Sequence, residues 1–262
     1  MMKNIFIATS LLIISLTCFA EDEEIQDMSD PLAVYTQAGA GYTDKGLNIK
    51  IGQAYDTGFD TTMAMRVLEI KGFYGETLGY DDSVNTDDSV DAVRFRNYEL
   101  DLTNGRGGQI DVNYNFDKSH LADKSGDISY SLLQALPKMG RFNFYPLAGA
   151  GLAFGNNAIE DDNSIDSGFS IYGAFALVGM YGKMELTDNI WLNYNPIYLQ
   201  ALSGSDRYKD HAFGENNDSV LLHEFAVSYQ INPRMNVRYF ANWNEYNNFS
   251  DGSHRIEINY QL

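Results

Sequence analysis

The chain has 262 residues, with 18 Lys and Arg against 36 Asp and Glu, one Cys and a formal net charge of −18. That balance excludes a basic nucleic-acid binder, because phosphate contacts need clustered Lys and Arg, and one Cys excludes a disulfide scaffold. A hydrophobic content of 44% with 13% aromatics argues against wholesale disorder. Beyond the N-terminus, apolar runs such as 145–155 and 172–182 are too short to cross a membrane as helices. A soluble acidic β protein or a membrane barrel remains.

In chain order, the first feature is a secretory signal. Lys3 supplies a positive start, residues 5–16 an apolar stretch, and Ala20 a small residue just before four consecutive acids. Cleavage after Ala20 is expected. It removes Lys3 and the lone Cys18, leaving 17 basic against 36 acidic residues, or −19, in a cysteine-free exported chain. Residues 21–31, acidic and ending at Pro31, read as a flexible tail. Residues 32–262 form the barrel unit.

From there on, period-two alternation replaces helical periodicity. In 109–117, Ile110, Val112, Tyr114 and Phe116 alternate with polar residues, so one face of the strand is apolar and the other wet. Segments 235–243 and 255–262 repeat the pattern, and 142–154 alternates large apolar with small residues. Twelve strands are expected, at about 33–42, 47–55, 62–75, 92–103, 108–117, 127–136, 141–154, 169–186, 190–202, 219–231, 235–246 and 254–262. Phase slips near Val67 and Asn97 suggest bulges. Ten or fourteen strands are the neighbouring counts.

The connections alternate in length. Walking back from the C-terminus, long ones near 247–253, 203–218, 155–168, 118–126 and 76–91 alternate with short ones at 232–234, 187–189, 137–140 and 104–107. Outer-membrane barrels have short turns at one end and long loops at the other. About ten residues per tilted strand cross the bilayer, whereas strands in soluble proteins average five or six. The fold class expected is all-β, a transmembrane antiparallel up-and-down barrel. An exported β-sandwich or lipocalin-like barrel is the soluble alternative.

The signal, the alternating strands, the end Ile256-Glu257-Ile258-Asn259-Tyr260-Gln261-Leu262 and the glycine-rich Tyr145-Pro146-Leu147-Ala148-Gly149-Ala150-Gly151 resemble Gram-negative outer-membrane β-barrel proteins. The family's terminal strand ends in an aromatic that the barrel-assembly machinery reads. Here the last residue is Leu262 and the aromatic is Tyr260. The resemblance implies a fold and an address, with outer-membrane lipid, lipopolysaccharide and the assembly machinery as partners and both termini in the periplasm.

If apolar faces meet lipid, polar faces line the lumen. The expected lumen charges are Lys50, Arg66, Glu69, Lys71, Arg94, Arg96, Glu99, Asp101, Asp111, Glu224, Arg238 and Glu257, with Arg66 near Glu99 or Asp101 and Glu69 near Arg96. They read either as a pore lining that selects small solutes or as an ion-pair network bracing a closed barrel. Twelve strands lie between the filled interior of eight and the open channel of sixteen, so a narrow porin-like diffusion channel is expected. A closed structural or surface-interaction barrel is the alternative. The acidic loops at Asp81, Asp82, Asp87, Asp88 and Asp91, and at Glu160, Asp161, Asp162 and Asp166, offer oxygen ligands for a divalent cation or are simply solvated. An outer-membrane lipid hydrolase would centre on His223, but no serine sits at 221 or 225 to pair with it. No enzyme activity, cofactor or metal is expected.

Overall fold

The computed structural model describes residues 25–80 and 87–262. The expected signal at 1–20, and Asp81 and Asp82, lie outside the described residues. Twelve strands close into one antiparallel up-and-down barrel. They are β1 (Gln37–Thr43), β2 (Gly46–Asp56), β3 (Thr62–Phe73), β4 (Ala92–Asp101), β5 (Arg106–Asn115), β6 (Ala122–Gln134), β7 (Phe142–Ile159), β8 (Ile165–Glu185), β9 (Ile190–Gly204), β10 (Ser219–Asn232), β11 (Met235–Asn244) and β12 (Ser253–Gln261). Each strand pairs with its sequence neighbours, and β1 pairs with β12 from Gln37↔Gln261 to Thr43↔Arg255.

The pleat sorts side chains by parity. One lateral row runs Ile51–Leu68–Phe95–Val112–Ile128–Leu152 across six strands. Ile51, Leu68, Ile128 and Leu152 of that row are exposed by 40% or more, so this face is the outer one. The row one residue away runs Lys50–Glu69–Arg94–Asn113–Asp127 and faces the lumen. Because the outer face is apolar and solvent-exposed, it suits lipid rather than water.

The turns at the end where β1 begins and β12 finishes are tight, at 102–105, 186–189 and 233–234. The opposite, loop end carries 74–91 and 205–218, the latter containing helix α1 (Asp206–His211). Two expected long loops are largely strand. β7 and β8 continue to Ile159 and from Ile165 as a hairpin with a five-residue turn, and β6 begins at Ala122.

The lumen is crossed at both ends. At the terminal end, residues 27–36 turn into the barrel instead of hanging free. Val34 packs on Met65 and Val67 of β3, while Tyr145 of β7 donates a hydrogen bond to Asp30 (3.1 Å) and Lys183 of β8 donates to Ser29. Residues 25–31 are therefore not the free tail that their acidity suggests. The apolar inner residues Met65 and Val67 and the buried Lys183 give the segment specific seats.

At the loop end, α1 tucks over the mouth. Ser205 caps it through the Tyr208 amide. Tyr208 is 3% exposed and packs with Tyr172, Ala122, Ala153 and Ala158. It lies directly on Gly173, where a Cβ would stand 2.1 Å from the ring. Arg207 donates to the carbonyl of His120 (2.8 Å), and His120 meets the carbonyl of His211 (2.6 Å), tying the loop to the 116–121 turn. Gly173→Val should displace Tyr208 and free the loop. Trypsin cleavage at Arg207 and Lys209 of the detergent-folded protein should become several-fold faster, with heat-modifiable gel mobility retained.

Candidate functional site

The site is the lumen. Its cationic side lies on contiguous strands from β11 through β12, β1, β2 and β3 to β4. Glycine makes this possible: β1 presents Gly39 and Gly41 inward, and a Cβ on Gly39 would stand 2.7 Å from Asn259 Oδ1 and 3.2 Å from Lys50 Cε. Lys50 therefore reaches across β1 to Glu257 of β12 (2.5 Å). Arg255 approaches the other oxygen of Glu257 (3.3 Å). On the next strands, Arg96 pairs with Glu69, which also takes Lys71 at 3.2 Å. Arg94 grips Asp111 of β5 through both Nε (2.9 Å) and Nη2, a bidentate geometry that fixes the guanidinium plane.

Arg238 has no carboxylate partner. Its Nε and Nη2 donate to Ser228 Oγ and Asn193 Oδ1, both at 2.9 Å. Arg238 and Arg255 both stack on the Phe240 ring, at 4.6 and 4.2 Å from its centroid. The facing wall is made mainly of amides, hydroxyls and a few acids. Tyr181 donates to Gln109 (3.0 Å), Asn195 to Glu224 (2.7 Å) and Asn113 to Asp127 (3.1 Å).

Of the charges expected in the lumen, Lys50, Glu69, Lys71, Arg94, Arg96, Asp111, Glu224, Arg238 and Glu257 line it, and Glu69 meets Arg96. Arg66 and Asp101 do not line it, and Glu99, though it borders the cavity, does not project into it. Strands β3 and β4 run without a bulge at Val67 or Asn97, so these three keep the outward parity of Leu68 and Phe95. Arg66 lies over Tyr55 (4.6 Å), whose hydroxyl donates to Asn97 (2.8 Å). Asp101 folds onto Thr103 and Asn104 at the turn. No ion pair joins Arg66 to Glu99 or Asp101 among the described residues. Arg255 was not expected. Its partner Glu257, two residues along the same face, is the signal that could have found it.

A cavity of ≈ 650 Å³ runs from a floor of Met28, Asp30 and Tyr35 to Lys45, Asp117 and Lys118 at the loop end. A second, of ≈ 300 Å³, lies beneath Tyr208 and Phe213. Arg94 and Tyr181 border both.

Three of the described loop acids turn onto their own loops. Asp87 accepts from the Ser89 amide, Asp88 from Thr77 and Asp162 from the Ser164 amide. Among the described residues, no three His, Cys, Asp or Glu converge as metal ligands. His223 is on the outer face, stacked between Tyr194 and Trp243, and its Nδ1 meets the Tyr194 hydroxyl at 2.8 Å. That setting is an aromatic girdle.

No family model matches the chain, and no curated protein is similar to it in sequence. Solved structures share its fold. The NanC porin has a TM-score of 0.53 at 10% identity, over 87% of this chain and 100% of that one. The COG4313 outer membrane channel from Pseudomonas putida F1 has 0.50 at 10% identity, over 90% and 98%. The architecture is thus that of outer-membrane porins and channels.

Two tests follow from the charges. Glu69→Gln leaves Arg96 and Lys71 facing each other unpaired, and should destabilise the folded barrel by about 3 kcal/mol in urea titrations in detergent. Adding Arg96→Gln should recover part of that loss. At the loop-end mouth, burial and the neighbouring Asp117 push the Asp91 carboxyl up to about 6. Asp91 is therefore neutral below that pH and charged above it. The cation preference of any lumen current should rise between pH 5 and 7, and Asp91→Asn should flatten that rise.

Proposed function

We propose that this protein is an outer-membrane channel for passive diffusion of small solutes, with both termini in the periplasm. The observation that carries the reading is the ≈ 650 Å³ polar cavity, which runs inside the closed barrel from the N-terminal segment to the loop-end mouth. Its lining of charges and amides keeps it wet, while the outer face is built for lipid. The shared fold with porins and channels supports the reading at the level of architecture. On this reading the outer face meets lipid and lipopolysaccharide, and the barrel-assembly machinery engages β12 during insertion.

The same geometry makes the passage narrow. Residues 27–36 reach from Met65 and Val67 to Tyr145 and Lys183, and α1 covers part of the mouth. This crossing is what favours the second reading, a barrel closed at rest that serves a structural or surface role. No chemistry is assigned to the barrel, since His223 is engaged by Tyr194 and Trp243.

Planar-bilayer recordings decide between them. The wild-type protein should give small stepwise conductance, and deletion of residues 25–33 should raise it by roughly twofold or more. Current that appears only after the deletion would establish the closed reading. No current from either folded protein would end the channel reading.

A further inference from the structure

Six cations face the cavity at mid-lumen: Lys50, Lys71, Arg94, Arg96, Arg238 and Arg255. The carboxylates paired with them are three, Glu69, Asp111 and Glu257. With Glu224 of the facing wall counted as well, this belt keeps an excess of two positive charges in a chain whose formal charge is −18. Glu224 also lines the cavity, held by Asn195 on the facing wall, and Asp30, Asp44, Asp91 and Asp117 line it toward its two ends.

The excess is concentrated at one place. Arg238 is satisfied only by neutral oxygens. Arg255 has only a share of Glu257, its buried Nε standing 3.3 Å from Oε2 without making a hydrogen bond. Arg96 pairs through Nη2, and its buried Nε has no hydrogen-bond acceptor among the described residues. A guanidinium donor buried without an acceptor is costly, and an acceptor entering from the cavity removes that cost. Phe240 holds Arg238 and Arg255 on its ring, so two guanidinium planes are fixed in advance and little side-chain entropy is lost when an anion docks.

We propose that the belt is a binding site for small organic polycarboxylates, seated between Arg238 and Arg255 and extending toward Arg96. The proposal refines the channel reading by naming the solute class, and it rests on that reading for its role in transport. Planar carboxylates match the forked guanidinium geometry, and a solute with more than one can use several cations at once. The acidic loops work against anion entry, so the belt and not the outer surface confers the preference.

The test is calorimetric titration of citrate into the detergent-folded mature barrel at low ionic strength, with glucose as the neutral control. Citrate should bind and glucose should not. Arg238→Gln/Arg255→Gln should weaken citrate by about tenfold or more, and Arg238→Lys/Arg255→Lys should recover part of the affinity. Heat-modifiable mobility checks that each variant is folded. Absence of citrate binding to the folded wild type, or equal affinity in the glutamine double variant, overturns the site. A barrel that binds citrate but passes no current supports the site and removes the channel reading. One that conducts but does not bind citrate does the reverse.

Discussion

Closure of the sheet through β1 and β12 fixes which face the strand side chains take. Once Gln37 is opposite Gln261 and Thr43 opposite Arg255, the pleat assigns alternate residues to lipid and to lumen around the ring. A slip of one residue would exchange the two rows. It would put Lys50, Glu69 and Arg94 in the apolar row and bring Ile51, Leu68 and Phe95 inside. The cost of leaving charges in lipid on one side, and apolar groups in water on the other, makes register the constraint from which the lumen's chemistry follows.

The inner face also meets a second demand, because a twelve-stranded ring is too wide for its own side chains to fill and narrower than a sixteen-stranded porin. Two segments take up the slack. The N-terminal residues occupy one end, with Val34 on Met65 and Val67 and with Met28 only 6% exposed near Gln230 and Asn236. Tyr208 of α1 fills the other, against a wall made shallow by Gly173 and Ala153. Between them the charged belt lines the open cavity. Paired charges there lose less solvation than they would in a dry core, so the belt can keep more cations than carboxylates.

Much of this was legible in the sequence. Period-two alternation and the parity of connection length follow directly from a pleated sheet crossing a bilayer, and they give the closed twelve-stranded barrel. What misled is equally physical. Met65 and Val67 are apolar and face inward, because the N-terminal segment covers them. Read on the assumption that every apolar residue meets lipid, they force a false phase slip in β3, and the same logic in β4 moves Glu99 and Asp101 inside. Apolar residues at lumen parity are better read as the seat of something within the barrel. Tyr172 and Phe175, buried at 7% and 6%, carry the same signal for the loop-end helix. Contacts between distant segments, such as Tyr145 with Asp30 or His120 with His211, leave no local pattern to find.

The most direct test of this architecture is thiol accessibility of two positions on one strand. Leu68→Cys and Lys71→Cys place single thiols on opposite faces of β3 in the mature chain. In lipid vesicles, a charged, water-soluble maleimide should label the thiol at position 71 and leave that at 68 unreacted, while a membrane-soluble maleimide should label 68. Labelling of 68 from water, with 71 protected, would contradict the register and with it the polar lumen.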